Sequence, residues 1–195
     1  MRGRHGLKSG QFLALFLLLS FFLAGCGPPR PQDHFQERVD EVLNESWAFY
    51  QRHYILPDGR VQRPDTGYDT VSEGQAYGLL RAVWSDDQAA FDRMYRWAEA
   101  NLSQQHLKGA HLLAWHWGRD KDGRGGVLDA NSATDADLDY ALALVLAHRT
   151  WGRPTEPLPD YLAKAGLVLR DILARQTCRD PWGRLWLTPG DWAVC

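Results

Sequence analysis

The sequence has no strong excess of charge of either sign and no long apolar segment apart from one near its start. Its 22 Lys and Arg face 24 Asp and Glu, a net charge of −2, so there is no basic surface to favour nucleic acid. The seven His show no metal-ligand spacing. A Ser-His-Asp arrangement and a phosphate-binding glycine loop are also missing. We therefore expect no metal, no cofactor and no nucleic-acid partner.

The apolar segment near the start, Phe12 to Leu23, is about twelve residues long and follows basic residues, among them Arg2 and Arg4. It is too short to span a bilayer comfortably, which favours a signal peptide. Leu23-Ala24-Gly25-Cys26 looks like a bacterial lipoprotein cleavage box. We predict a signal peptide over 1–25, lipidation of Cys26 and a tether to residue 32; the alternative is an ordinary secretion signal.

This interpretation predicts a location and a second partner. The protein would be lipid-anchored in the bacterial cell envelope, either periplasmic or surface-exposed, with the membrane reached through Cys26. The two other cysteines, Cys178 and Cys195, could then pair in an oxidising compartment. Such a bond would close a loop of about 17 residues and contribute up to ~3 kcal/mol, whereas two unpaired thiols are the alternative.

The apolar periodicity predicts five helices in an all-α fold. Long polar loops precede the second and fourth helices, and short connections follow them, which suits a toroid of antiparallel helix pairs with functional loops on one rim. The predicted helices start near Asp33, run from Ser72 to about Trp84, start after Asp86-Asp87, run from Ala133 to Thr150, and run from Tyr161 to about Arg175.

Two carboxylates, Glu73 and Asp135, fall in the first turns of the second and fourth helices. One helix between them reverses the chain direction, so both should face one groove at the same end of the domain. Paired carboxylates are the minimum equipment for glycosidic bond hydrolysis. The alternative is capping, because Thr70 to Glu73 or Ser72 to Gln75 could form a capping box and Asp135 could be a cap.

A general acid at Glu73 would have to be protonated near neutral pH. A helix N-terminus stabilises the charged form and lowers the pKa of a carboxyl. Burial and a nearby ionised Asp135 are the candidates that could oppose this effect. At Asp135 the helix start should instead hold the carboxylate ionised.

Nine Trp suggest either a heavily packed core or a sugar-stacking cleft. Trp115 and Trp117 alternate with one residue between them, so in an extended segment they would share one face. We predict Trp115 as a sugar platform at the groove, while Tyr77 could line the same groove or simply pack. The Trp residues predicted for the core are Trp47, Trp84, Trp97 and Trp151.

The motif Ser72-Glu73-Gly74-Gln75-Ala76-Tyr77-Gly78-Leu79 resembles the general-acid segment of glycoside hydrolase family 8, and Ala133 to Trp151 resembles its signature. The resemblance implies an (α/α)6 barrel of about twelve helices, of which 33–195 would be the N-terminal, incomplete part of the catalytic domain. It implies Glu73 as general acid and Asp135 as an active-site residue that positions the sugar and stabilises charge, with Asp137 among the substrate-binding residues. The base it implies is an Asp of the C-terminal half, to which no residue here can be matched.

Together these features predict an endo-acting hydrolase of polysaccharide. The expected reaction is hydrolysis of internal β-1,4-glycosidic bonds in a cellulose-like glucan with inversion. The alternative is a glycan-binding envelope lipoprotein without a complete catalytic set. A helical scaffold protein would leave the paired carboxylates unexplained.

Overall fold

The computed structural model describes residues 31–195, and their side chains from residue 34 onward. Residues 43–195 form one compact unit, which contains all of the features below except the first part of α1. The predicted signal peptide and Cys26 lie outside the described residues. The helices are α1 (Pro31–Tyr54), α2 (Ser72–Trp84), α3 (Gln88–Asn101), α4 (Gln105–Lys108), α5 (Thr134–Trp151) and α6 (Tyr161–Arg175).

The helices of the second unit enclose a core of apolar and aromatic side chains. Helix α2 packs against α3 and α5, and α5 also packs against α6. Phe91, Tyr95, Tyr140 and Tyr161 are fully buried and meet one another with ring centroids 5.2–6.3 Å apart. Such tilted and edge-on contacts are the favoured geometry for aromatic pairs. The predicted all-α character is confirmed in its main part.

The buried tyrosines bring polar groups into this core, and each hydroxyl has a partner. Tyr140 donates to Glu99 at 2.7 Å, and the same carboxylate accepts from the buried ammonium of Lys164 at 2.7 Å. Tyr161 donates to Asp92, whose other oxygen accepts from Thr155. Since an unpaired buried polar group is costly, these pairs allow α3, α5 and α6 to pack tightly.

Short strands form two small sheets. Strands β1 (Thr70–Val71), β2 (His116–Arg119) and β3 (Gly125–Asp129) form an antiparallel sheet in that order. A register shift between His116 and Trp117 interrupts the pairing of β2 with β3. Strands β4 (Thr177–Arg179) and β5 (Leu185–Leu187) form a hairpin after α6. The first sheet joins the loop before α2 to the loop before α5.

The helix ends follow the predictions closely, but the capping interactions do not. Helix α2 begins at Ser72, its cap residue is Val71, and no side chain caps it. Helix α5 begins at Thr134 after Ala133, again without a side-chain cap. The structure therefore does not have the alternative, capping by Glu73 or Asp135, and both carboxylates are free for other contacts. Helix α3 does have a side-chain cap, since Asp87 accepts from the amide of Ala90.

Cys178 and Cys195 form a disulfide with their Cα atoms 5.6 Å apart. Cys178 pairs with Trp186 in the β4–β5 hairpin, so the disulfide links this hairpin to Cys195, the last residue of the chain as given. Of the two alternatives left open by the sequence, the structure has the paired one. Within residues 31–195, no helix has the length and apolar character needed to cross a bilayer.

Candidate active site

Glu73 lies in the first turn of α2 and is partly buried. Burial raises the pKa of its carboxyl most, and the negative charge of Asp135 and a hydrogen bond with that residue raise it further. Arg63 acts in the opposite direction and Asp139 in the same direction as Asp135. The two effects that the sequence required of a protonated acid, burial and a neighbouring Asp135, are therefore both present.

Asp135 lies in the first turn of α5 with an exposed side chain. It lines a cavity of about 440 Å³ together with Leu138 and the segment Leu187 to Pro189. The charge of Asp135 and a hydrogen bond with it both raise the pKa of the Glu73 carboxyl, so the two side chains share one site.

Tyr77 lies one turn after Glu73 and is 50% exposed. Its pKa is raised by burial first and then by the negative charges of Glu73, Asp139 and Asp135. The ring of Tyr77 therefore lies near Glu73 and Asp135, on the solvent-exposed side of α2. Of the two roles left open by the sequence, a place in the groove fits this position better than packing in the core.

Trp115 lines a second cavity of about 460 Å³, which shares Pro189 with the first. Its ring lies 4.8 Å from that of His116, and its indole N–H donates to Asp129, which lowers the pKa of that carboxyl. Trp192, 60% exposed, lines the same cavity. An aromatic face together with carboxylate and amide groups is suited to binding a sugar ring.

Trp117 does not share this position, although the sequence placed it on the same face as Trp115. The register shift after His116 breaks the alternation, as a β-bulge does. The ring of Trp117 packs edge-on against Trp97 at 5.4 Å, with the guanidinium of Arg60 over it at 4.9 Å. Trp47 and Trp97 are buried as predicted and Trp151 is partly buried, but Trp84 is 65% exposed, so its prediction was wrong.

Asp137 requires a correction, because its side chain is completely buried and does not reach the groove. Its carboxyl accepts from the amide of Leu113 at 2.8 Å and from the side-chain amide of Gln176 at 2.6 Å. Burial is the largest influence and raises the pKa of Asp137 to about 7, although both hydrogen bonds act to lower it. Asp137 therefore supports the start of α5 from within instead of contacting a sugar.

The sequence analysis missed a polar cluster beside Glu73, made of Arg63, Thr66, Asp69 and His116. The carboxylate of Asp69 accepts from Arg63 Nε at 2.9 Å and Nη2 at 2.5 Å, from Thr66 at 2.6 Å and from His116 Nε2 at 2.9 Å. Burial alone would raise the pKa of Asp69, but these hydrogen bonds lower it to about 2. No sequence motif marks the cluster, because its members come from a loop and a separate strand.

Trp192, which was not predicted as a site residue, belongs to a segment that is held against the loop before α5. Gly190 lies so close to the carbonyl of Ser132 that a side chain could not be accommodated. Asp191 accepts from the amide of Ser132 at 2.8 Å and from Lys108 at 2.8 Å. These contacts join the end of the chain to the loop before α5. Among the residues that the structure describes, no group of three His, Cys, Asp or Glu side chains could hold a metal ion.

A carboxyl pair at two helix starts, near a cavity with aromatic walls, is an arrangement suited to binding carbohydrate, in a protein built mainly of helices. Residues 37–194 match the family described as Glycosyl hydrolases family 8, so the chain belongs to this family. It is 37% identical over 145 residues to an endoglucanase of Pseudomonas fluorescens (strain SBW25), covering 74% of this chain and 35% of that protein. The chain thus spans about a third of the length of this curated relative.

Solved structures give the same result for the fold. The chain matches an endo-1,4-D-glucanase from Vibrio fischeri ES114 with a TM-score of 0.67 and 34% identity, over 76% of this chain and 41% of that one. It matches the endo-beta-1,4-glucanase CMCax from Acetobacter xylinum with a TM-score of 0.65 and 32% identity, over 79% and 45%. These neighbours are (α/α)6 barrel enzymes, and the described residues correspond to part of that barrel, as predicted.

Proposed function

We propose that this protein hydrolyses internal β-1,4-glycosidic bonds of a cellulose-like glucan with inversion, and that Glu73 is its general acid. The observation that carries the proposal is the carboxyl of Glu73, whose pKa is raised by burial and by Asp135 at the start of a helix, where the dipole alone would lower it. The endoglucanase names of the relatives support a glucan substrate.

In this mechanism the protonated Glu73 gives its proton to the glycosidic oxygen as the bond from that oxygen to C1 breaks. A water attacks C1 from the opposite face of the sugar and loses its proton to a base. Asp135 acts on the same carboxyl that donates the proton, through its charge and a hydrogen bond, so we assign it to binding the sugar and stabilising positive charge at C1. The base is then a different carboxylate, which the family resemblance attributes to a C-terminal half.

The aromatic cavity supports binding of the sugar chain beside the point of cleavage. Trp115 and Trp192 supply ring surfaces, and Asp129 and Asn131 supply hydrogen-bonding groups in the same cavity. Because this surface does not depend on a base, the second candidate is a glycan-binding lipoprotein that does not cleave its ligand. Both candidates need the cavity, and only the first needs Glu73 as an acid.

Release of reducing ends from soluble β-1,4-glucan tests the first candidate. We expect Glu73→Gln to lose about 10²–10⁴-fold in turnover, the usual contribution of general acid catalysis, while still binding cello-oligosaccharide. Glu45→Gln changes an exposed carboxylate on α1 and is the matched control. NMR of the first product should show the α-anomer.

The outcomes separate the candidates. Oligosaccharide binding without hydrolysis by the unaltered protein would favour the glycan-binding candidate, and absence of both would contradict both. Turnover of Glu73→Gln within a few fold of the unaltered protein would remove Glu73 as the acid.

We also propose that the protein is anchored to the bacterial envelope through a lipid on Cys26, on the basis of the signal-peptide pattern and the box Leu23 to Cys26. Metabolic labelling with a fatty acid should mark the protein, and Cys26→Ala should abolish the label. Labelling that survives this substitution would contradict the proposal.

A further inference from the structure

The cluster around Asp69 is built on the same short sheet that leads into Glu73. Arg63 and Asp69 are opposite each other in an antiparallel bridge, with the amide of Arg63 donating to the carbonyl of Asp69 at 2.9 Å. Two residues of β1 then separate Asp69 from α2, and Val71 of β1 pairs with His116 of β2. The backbone therefore fixes three members of the cluster next to the general acid.

The carboxylate of Asp69 is saturated with donors. One oxygen accepts from Arg63 Nε and Thr66, and the other accepts from Arg63 Nη2 and His116. A carboxylate has about four lone-pair sites, so all of them are in use. The side chain of Asp69 is 13% exposed and that of Arg63 is 40% exposed. The paired hydrogen bonds fix the plane of the guanidinium as well as its position.

Besides Asp69, a second carboxyl, that of Glu73, is near enough to the guanidinium of Arg63 for their charges to interact. The charges of Asp135 and Asp139 of α5 also act on Glu73. Tyr77, on the same helix as Glu73, is affected by all three carboxylates. An arginine brought into contact with a carboxyl favours the ionised form strongly. Direct contact with Arg63 would therefore remove the proton that Glu73 has to donate.

We propose that Asp69 is a positioning residue that holds the guanidinium of Arg63 away from Glu73, so that Glu73 keeps its proton for the glycosidic oxygen. The proposal rests on the proposed role of Glu73 as general acid. It gives His116 and Thr66 a function as well, because each fixes one oxygen of Asp69 in the orientation that receives Arg63.

The test measures the pKa of Glu73 by carbon NMR titration of its carboxyl, with Glu73→Gln used to assign the signal. This readout needs no turnover, so it can be judged even if the protein does not hydrolyse glucan. In Asp69→Asn the guanidinium loses its charged partner, and we expect the pKa of Glu73 to fall by about one unit or more, as for a carboxyl next to arginine. In Arg63→Gln we expect the pKa of Glu73 to rise, because the positive charge that lowers it is removed.

A double variant separates the proposed mechanism from the simple loss of a negative charge near Glu73. If Asp69 acts by holding Arg63, Asp69→Asn should have little effect in the Arg63→Gln background. If Asp69 acts only through its own charge, the fall should be the same in both backgrounds. Asp65→Asn removes an exposed carboxylate of the same loop and is the matched control.

Each outcome decides the proposal. A fall in the pKa of Glu73 in Asp69→Asn that disappears in the double variant supports the proposal. An unchanged or raised pKa of Glu73 in Asp69→Asn overturns it. An equal fall in both backgrounds also overturns it. If Asp69→Asn does not fold, Arg63→Gln still tests the proposal, since a fall of the pKa of Glu73 in that variant would contradict it. Where hydrolysis is measurable, the alkaline limb of kcat/KM should move with the NMR value.

Discussion

The first turns of α2 and α5 have a common arrangement. Each places a carboxylate at the shared site, the partly buried Glu73 in one and the exposed Asp135 in the other, and two residues later a buried polar side chain, Gln75 or Asp137. Residues two positions apart differ by about 200° around a helix, so one faces outward and the other the interior. In both helices the buried residue forms hydrogen bonds with the backbone of a neighbouring loop.

The two buried residues differ in what they can do. Gln75 accepts from the amide of Val61 at 3.0 Å and donates to the carbonyls of Gly59 and Met94, both at 2.9 Å. Asp137 accepts both of its hydrogen bonds, from Leu113 and Gln176. Because its buried carboxyl is ionisable, its contribution to stability depends on pH. The start of α2, which carries Glu73, is therefore stabilised by the neutral amide of Gln75. The start of α5, which carries Asp135, is stabilised by the ionisable carboxyl of Asp137.

The largest effect should come from removing the support of Glu73. Gln75→Leu keeps a similar volume but leaves the amide of Val61 and the carbonyl of Gly59 without a partner, and the carbonyl of Met94 with only its helical hydrogen bond. At about 1–3 kcal/mol for each unsatisfied buried group, we expect the free energy of unfolding to fall by about 5 kcal/mol. Chemical denaturation measures this, with the exposed Gln105→Leu as control. A loss below about 1 kcal/mol would show that water or rearrangement replaces these contacts.

Of the two buried residues, Asp137 should make the stability depend on pH and Gln75 should not, because the amide of Gln75 does not ionise. The pKa of Asp137 is raised from 3.8 to about 7 in the folded protein, so the folded state holds the proton more tightly than the unfolded chain between these values. Stability from this group is therefore full below pH 4 and is lost as pH rises through 7, by up to about 4 kcal/mol.

Asp137→Asn should remove this part of the pH dependence, because the amide does not ionise. Denaturation between pH 4 and 8 measures it, and Gln75→Glu should introduce a similar dependence at α2, where none is expected from the native amide. An Asp137→Asn variant whose stability still falls over the same range would assign the pH dependence to other groups.

The smallest expected effect concerns the coupling of the two helix starts. Since the charge of Asp135 raises the pKa of Glu73, Asp135→Asn should lower it. Asp139→Asn should lower it less, because its contribution comes after those of burial, Asp135 and Arg63. NMR titration of the Glu73 carboxyl measures both. Equal effects of the two variants would mean that direct contact between Glu73 and Asp135 is unimportant.

The sequence was sufficient to predict the main helices and the shared site. Ser72–Trp84 and Tyr161–Arg175 have the predicted bounds, because apolar periodicity and flanking polar loops are local properties. The resemblance selected Glu73 and Asp135, and the structure brings them together. The capping alternative fails at Glu73 and Asp135 because a favourable residue type does not establish that its side chain turns back to the backbone.

The remaining features depend on contacts between distant residues. Asp135 and Asp137 are equally plausible by residue type and position, and only the packing of α5 against the chain around Leu113 and Gln176 decides which is buried. Trp115 and Trp117 are separated by a bulge that no local pattern predicts. The Asp69 cluster requires the pairing of β1 with β2.

The contacts that hold the two helix starts also differ in their separation along the chain, which has a consequence for the order of events during synthesis. Gln75 binds groups that lie 14 to 19 residues away, all of them present once Met94 has been made. The start of α5 needs Gln176, 39 residues beyond Asp137, and Asp191, 59 residues beyond Ser132. Because distant contacts close more slowly and only after their partners leave the ribosome, we expect the Glu73 wall of the groove to form first and the Asp135 wall to be completed on it.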